Sequence, residues 1–405
     1  MITVNDRTYN LPQGPVVGIC MDGTSFDYYE AAKDLMPNLQ RFIREGSMGM
    51  VHSVVPSFTN PNNMAMVTGA PPSVNGICGN YYYDKALDAE VMMNDPRYLR
   101  APSILASLSQ QGKRIAVVTV KDKLRAMLAH GLAGGVCFSA EFADRVTTEL
   151  NGIENVEGTL MGRPQPGIYD PGISVYCIEA GARLLAREPF DLMYLTTTDF
   201  VQHKYAPGHP EANAFLAAID QWLGELDRLG AIVGVTADHG MNDKTQADGS
   251  PNVRYAESIL ADHGIPSRVI LPITDPYVVH HGALGSYGTV YLAEDEVTRA
   301  REILSEVPGF EKVLSRDEAA AAFHLPPDRI GELVILSDRS TVIGRTAAWH
   351  DLSVVAEGLR SHGGLHEAVV PMIFNRPLAP AYAERLATGT SRNYDLFDYL
   401  LNGIA

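Results

Sequence analysis

The chain has 405 residues, 46% of them hydrophobic and 20% charged, with a formal net charge of −16; this is ordinary usage for a core-forming globular protein of two or three domains. The acidic balance argues against nucleic acid as a partner, because phosphate backbones are bound by clustered Lys and Arg, so an anionic ligand must be drawn by a local positive site. The N-terminal MITVNDRTYNLPQGP has no basic stretch followed by an apolar run, and no uninterrupted apolar segment approaches the length of a membrane helix, so neither secretion nor membrane association is expected.

Strand PVVGICM (15–21) opens the chain's regular structure and leads to Asp22. YYEAAKDLMPNLQRFIREG (28–46) follows as loop and helix stopped by Gly46, and MGMVHSVVP (48–56) returns as a strand, giving a βαβ unit. In PNNMAMVTG (61–69) Pro61 can occupy a first helical turn and Gly69 the C-terminal cap, which places Thr59 just before a helix N-terminus. Helix ILASLSQQG then leads to strand RIAVVTV, helix GISVYCIEAGARLLAREP to strand DLMYLTTT, and helix EANAFLAAIDQWLGELDRLG to strand AIVGVTA. Helix followed by strand three times implies a parallel sheet.

The pattern changes near residue 255. From Tyr287 the chain alternates strand TVYLAED, helix EVTRAREILSEVPG, strand EKVLS, helix RDEAAAAF and strand GELVILS. The expected organisation is a core of residues 1–255 and 346–405 interrupted by an inserted α+β cap, 256–345, lying over the strand ends. Cys20, Cys78, Cys137 and Cys177 are far apart with no C-x-x-C pair. They read as reduced core residues of a cytoplasmic protein rather than as a disulfide framework.

The chemistry-bearing residues stand where apolar runs end. Asp22 follows VVGICM, Asp199 and His203 follow LMYLTTT, Asp238 and His239 follow AIVGVTA, and His362 lies in RSHGG. Open α/β sheets place ligand sites outside the carboxyl ends of their strands, so all six side chains can meet on one rim. Each has a bland alternative: an Asp at a strand end is more often a helix N-cap, D-x-x-x-H spacing recurs by coincidence, and His in SHGG can be a turn residue. Their joint occurrence favours a site. Three His and three Asp suit zinc or a similar divalent ion and exceed what one tetrahedral site needs, so two metals are expected.

Asp22-Gly23, TNPNNMAMVTG from Thr59, GICGNYYYD (76–84), Asp199-x-x-x-His203, Asp238-His239-Gly240-Met241 and His362-Gly363-Gly364 together resemble the alkaline phosphatase superfamily, in its nucleotide pyrophosphatase/phosphodiesterase-like branch. The resemblance runs from about residue 15 to 375 outside the insertion. It implies an α/β fold, an alkaline phosphatase-like core with a mostly parallel central sheet flanked by helices, plus the smaller α+β cap. It implies one Zn2+ held by Asp199, His203 and His362, a second by Asp22, Asp238, His239 and the Thr59 oxygen, and Thr59 as the catalytic nucleophile. Asn80 and backbone N–H groups of the helix after Thr59 would hold the phosphoryl oxygens.

VKDKLR (120–125) and the TNPNN loop resemble the members that split a carbon–phosphorus bond beside a carboxylate. Expelling a carbon leaving group requires charge to spread into that carboxylate, and Lys121 and Lys123, alternating on one face of an extended segment, fit the task. Without the resemblance they read as a solvated strand end. His281, or its neighbour His280, is a further candidate for the carboxylate. The common Phe-Pro-Asn-His after the nucleophile is replaced by Asn60-Pro61-Asn62-Asn63, which weakens the case for nucleotide diesters, and Tyr81, Tyr82 and Tyr83 read as core packing before an aromatic wall. The expected partner is a small anionic substrate, with a homodimer as a candidate assembly. The alternatives are a phosphodiesterase or phosphomonoesterase of the same superfamily and a non-catalytic metal-dependent anion-binding protein.

Overall fold

The computed structural model describes residues 1–405. Its centre is a seven-stranded sheet built from β1 (Val16–Cys20), β2 (Ser47–His52), β3 (Ile115–Thr119), β4 (Val136–Ser139), β5 (Leu192–Thr196), β6 (Ile232–Thr236) and a strand near the C-terminus, Val369–Phe374. The order is β2, 369–374, β6, β1, β5, β3, β4. β6, β1, β5, β3 and β4 pair parallel, and strand 369–374 runs antiparallel to both of its neighbours. The expected βαβ unit exists as a crossover: β2 is parallel to β1 but lies at the sheet edge, beyond two intervening strands.

Pro371 lies inside strand 369–374, although a proline lacks the N–H that a central strand needs. The register resolves the conflict. Pairing with β6 covers only Met372, Ile373 and Phe374, and the Pro371 carbonyl, just beyond, accepts from Thr236 Oγ1 at 2.8 Å. Carbonyl and nitrogen of one residue face the same neighbour in an antiparallel ladder, so the missing N–H falls where β6 has already ended.

β1, β3 and β5 are buried along their whole length, which is why they read as continuous apolar runs. Alternate residues of the parallel strands supply two separate cores. Val17, Ile19, Val233 and Val235 pack on the side of helices Gly172–Arg187 and Pro210–Arg228; Val16, Cys20, Leu192 and Tyr194 pack on the side that buries Phe397 and Leu400. Registration levels the strand ends: Thr196 pairs with both Cys20 and Thr119, and Cys20 also pairs with Thr236. Asp22, Lys121, Asp199 and Asp238 each follow one of these ends within three residues and so share one rim.

Within 256–345 lies a four-stranded antiparallel sheet, in the order Ser267–Ile270, Tyr287–Leu292, Leu333–Ser337, Phe310–Ser315. Helices Val297–Ser305 and Arg316–Phe323 belong to the same alternation, the second opened by a capping box from Ser315 and Glu318. Where the chain enters this region, Val253–Tyr255 pairs in parallel with Val342–Gly344 at its exit.

Candidate active site and metal centre

Two buried groups of potential ligands lie on the rim, Asp199 with His203 and His362, and Asp22 with Asp238 and His239, the donor atoms of each group within 4.8 Å of one another. Asp199 occupies the N-cap position of helix Phe200–Lys204 without a side-chain capping bond, and its carbonyl accepts from His203 N at 3.0 Å, so the D-x-x-x-H spacing does place both side chains on one face. Gly23 makes room: its φ is +70°, and a Cβ there would stand 2.9 Å from the Asp199 Cβ. Gly363, at φ +118°, lets the loop after His362 pass the Phe58 ring, which a Cβ would meet at 2.4 Å.

The three imidazoles are oriented alike. Nδ1 of His203 bonds the Arg360 carbonyl at 2.7 Å, Nδ1 of His239 the Gly240 carbonyl at 2.9 Å, and Nδ1 of His362 the Ser57 carbonyl at 2.8 Å. Each carbonyl fixes the proton on Nδ1 and leaves Nε2 as a lone-pair donor, the arrangement typical of metal-ligating histidine. With the proton on Nδ1, His203 Nε2 faces Asp199 Oδ2 at 3.0 Å and His239 Nε2 faces Asp22 Oδ1 at 3.3 Å, buried lone pair against carboxylate with no hydrogen between them. Unpartnered buried polar atoms are costly, and a divalent cation satisfies this donor set. The residues therefore fit two metal ions.

The field of the centre is that of three clustered carboxylates. Burial and the neighbouring Asp22 push Asp238 well above the usual carboxylate range. Burial opposes a charge on His239, yet Asp238 and Asp22 outweigh it and raise the imidazole to about 9. Asp199 is held well below its ordinary value in spite of burial, by Lys121, His203 and His362. Burial and the charge on His239 depress His362.

Thr59 is the first residue of helix Thr59–Thr68 rather than the residue before it. Asn63, one turn on, ties it to the centre: Nδ2 donates to the Thr59 carbonyl at 2.9 Å and reaches Asp238 Oδ2 at 3.5 Å, while Oδ1 accepts from Tyr194 OH at 2.7 Å. One of the helix's free donors is already used, since Asn60 N donates to Asn80 Oδ1 at 2.9 Å. That bond orients the Asn80 amide with Nδ2 toward Asp275, to whose Oδ2 it donates at 3.4 Å.

The lysines do not sit on one extended face. A helix, Asp122–Ala129, begins directly after Lys121, because Asp122 stabilises its first turn, and Lys123 lies inside it. The two ammonium groups nevertheless cover one ring, that of Tyr277, at 5.2 and 5.5 Å from its centroid. Lys121 Nζ is 3.0 Å from Asp199 Oδ1 and 3.8 Å from Asp22 Oδ2; Lys123 Nζ is 2.5 Å from Asp275 Oδ2. Burial opposes both charges. For Lys121 the surrounding carboxylates prevail and the pKa is raised, whereas Lys123 is lowered because burial outweighs its single close partner.

His281 is buried, with Nδ1 accepting from Ala283 N at 3.0 Å and Nε2 4.0 Å from Asp275 Oδ1. Burial lowers it to about 3, so it stands neutral. His280 stacks on His203 with ring centroids 5.6 Å apart, and both of its ring nitrogens are buried without partners. Of the tyrosine run only Tyr82 is buried, edge-on to Tyr98, whereas Tyr81 and Tyr83 are half-buried. Sequence reasoning missed Asp275, Tyr277 and Glu141, whose carboxylate accepts from Tyr277 OH at 2.6 Å and from Asp122 N at 2.8 Å. The Asp275-Pro276 dipeptide reads only as a turn, and Glu141 follows a strand without any motif. Asn63 was visible inside TNPNN, but its link to Asp238 was not.

The model of the type I phosphodiesterase / nucleotide pyrophosphatase family matches residues 16–365. Among solved structures, a phosphonoacetate hydrolase from Sinorhizobium meliloti, determined in complex with phosphonoformate and with phosphonoacetate, is 48% identical with a TM-score of 0.93, over 100% of this chain and 99% of that one. Murine ectonucleotide pyrophosphatase / phosphodiesterase 5, solved with AMP, shares the fold at 18% identity and a TM-score of 0.65, over 97% of this chain and 96% of its own. Strand-end acids and imidazoles, a threonine at a helix N-terminus and a family match across most of the length converge, and the chain belongs to the type I phosphodiesterase / nucleotide pyrophosphatase family.

Proposed function

We propose that this protein is a di-zinc hydrolase that cleaves the carbon–phosphorus bond of phosphonoacetate to acetate and phosphate. The observation that carries the reading is the pair of buried ammonium groups, Lys121 and Lys123, standing over one ring beside Asp199. A simple phosphate ester has no carboxylate for them to receive. A 48% identical relative solved with phosphonoacetate supports the same substrate.

Asp199, His203 and His362 would hold one zinc and Asp22, Asp238, His239 and the Thr59 oxygen the other. Bound there, the ions supply Lewis-acid activation of a hydroxyl at neutral pH and neutralise charge around phosphorus. Thr59 attacks phosphorus in line, and its bond to phosphorus forms as the bond to carbon breaks. Asn80 Nδ2, aimed by the Asn60 bond, donates to a phosphoryl oxygen. Lys121 and Lys123 receive the substrate carboxylate, into which the electron pair of the broken bond delocalises, so their stabilisation grows toward the transition state. The carbon takes up a proton, balancing the one Thr59 gives up as it attacks, acetate leaves, and water hydrolyses the phosphothreonine to phosphate and the free hydroxyl. His281, beside Asp275, closes the same pocket. The inserted region 256–345 acts as its cap by contributing Asp275, Tyr277 and both histidines.

No helix is long and apolar enough to cross a membrane. Four buried free thiols support a reducing, cytoplasmic setting for a small-anion hydrolase that takes no nucleic acid; a homodimer is a candidate assembly. The deciding experiment measures phosphate released from phosphonoacetate, phosphonopyruvate, methylphosphonate and p-nitrophenyl phosphate and phosphodiesters. Phosphonoacetate is expected to lead in kcat/KM. Ester turnover without phosphonoacetate turnover would make the protein a phosphodiesterase or phosphomonoesterase instead, and binding without turnover a metal-dependent anion-binding protein.

A further inference from the structure

Asp275 is the buried carboxylate on which the two ends of the substrate pocket meet. It enters from the loop between strands Ser267–Ile270 and Tyr287–Leu292, its side chain only 4% exposed. Oδ2 accepts from Lys123 Nζ at 2.5 Å and lies 3.4 Å from Asn80 Nδ2; Oδ1 accepts from Tyr277 N at 2.7 Å and stands 4.0 Å from His281 Nε2. One carboxylate thus touches the lysine assigned to the substrate carboxylate, the amide assigned to the phosphoryl group, and the loop that carries the ring beneath both lysines.

Two ammonium groups over one ring repel each other, and a lysine side chain has four freely rotating bonds with which to escape. Asp275 opposes that escape for Lys123 as Asp199 does for Lys121. It also sets the local charge: Asp275 offsets Lys123 as Asp199 offsets Lys121, so each ammonium group is held against one close carboxylate. Burial works against the ionisation of Asp275, but Lys123 and Lys121 overcome this and keep it below the ordinary carboxylate range.

Resting on the phosphonoacetate reading, we infer that Asp275 is a positioning residue that fixes Lys123 relative to Asn80, and thereby tunes the pocket to a phosphonate bearing a carboxylate one carbon from phosphorus. The test compares wild type with Asp275→Asn, Lys123→Met and the double variant, on phosphonoacetate and on p-nitrophenyl phosphate, with melting temperature and bound metal measured alongside. Asp275→Asn is expected to lower kcat on phosphonoacetate about 30-fold or more with KM changed by under about threefold, and to affect the aryl ester far less. In the Lys123→Met background the same change should cost under about threefold, because the residue acts through that lysine. Asp275→Glu, which keeps the charge but moves it, should give the same substrate split and serves where the Asn variant does not fold.

Equal losses on both substrates would overturn the inference in favour of a role in the fold or the metal centre. An undiminished loss in the Lys123→Met background would show that Asp275 acts independently of Lys123. Wild-type protein inert toward phosphonoacetate removes the functional reading and this role with it, whereas active wild type matched by Asp275→Asn removes this role alone.

Discussion

His239 and His362 lie face to face, ring centroids 3.5 Å apart and planes within 7° of parallel, although each belongs to a different ligand group. The two groups are therefore adjacent and share a wall of imidazole. Purified protein is expected to carry two zinc ions per chain by elemental analysis, and His362→Ala to lower occupancy of both positions rather than one. A chelator should abolish turnover while far-UV circular dichroism stays unchanged, because the sheet's two apolar cores do not include the ligands. One ion or none in an active preparation would contradict the two-metal centre.

Thr59→Ala removes the attacking oxygen but leaves Asn80, the lysines and both ligand groups in place. Turnover should fall by at least about a thousandfold, roughly 4 kcal/mol of barrier, with phosphonoacetate binding retained in a calorimetric titration. Activity within about tenfold of wild type would mean that water attacks phosphorus directly.

Lys121→Ala and Lys123→Ala should each depress phosphonoacetate turnover by about a hundredfold or more, near 2.7 kcal/mol, and p-nitrophenyl phosphate turnover far less. The comparison of kcat/KM on the two substrates is the check, since only one of them develops charge on a carboxylate.

Lys244 and Glu367 form a fully buried ion pair behind the centre, 3.0 Å apart. Glu367 Oε1 also accepts from Asn242 Nδ2 at 2.6 Å and Oε2 from Gly364 N at 3.1 Å, while its carbonyl accepts from Gly240 N at 2.7 Å. It therefore braces the loops that carry His239 and His362. Glu367→Ala leaves a buried ammonium without its partner and should cost about 3–5 kcal/mol in urea unfolding. Replacing the pair by Lys244→Met with Glu367→Leu should recover part of that loss.

His350 accepts from Arg345 N through Nε2 at 3.0 Å and bonds the Gly282 carbonyl through Nδ1 at 2.8 Å, which requires the neutral ring. Burial lowers its pKa from the ordinary 6.5. The unfolded chain then binds the extra proton first as pH falls, so this contribution to stability is present above pH 6.5 and is lost progressively below it, toward the depressed folded value. Urea midpoints between pH 7.5 and 5 should decline less steeply in His350→Gln than in wild type.

Much of the centre was readable from the chain because its ligands follow uniformly apolar runs, and in a parallel sheet such runs end level on one rim. Asp22, Asp199 and Asp238 owe their legibility to this register, since Cys20 is opposite both Thr196 and Thr236. Asp275 and Glu141 were not readable, because each becomes significant only through a contact made across the fold, to Lys123 and to Tyr277. The lysines were found for a reason that proved geometrically wrong: alternation predicts an extended segment, but the helix starting at Asp122 turns the chain, and their convergence arises from Tyr277 lying beneath both.

Strand 369–374 also sets the order in which the molecule can be completed. Its neighbours, β2 at 47–52 and β6 at 232–236, emerge from the ribosome long before it and have no partner between them until it arrives. Bare strand edges recruit other chains, so the nascent polypeptide carries an aggregation hazard through most of its synthesis and is a natural client for chaperones. His362 emerges only a few residues ahead of the strand that closes the sheet. Completion of the Asp199, His203 and His362 group and closure of the sheet are thus late and nearly simultaneous events, whereas Asp22, Asp238 and His239 are all in place earlier.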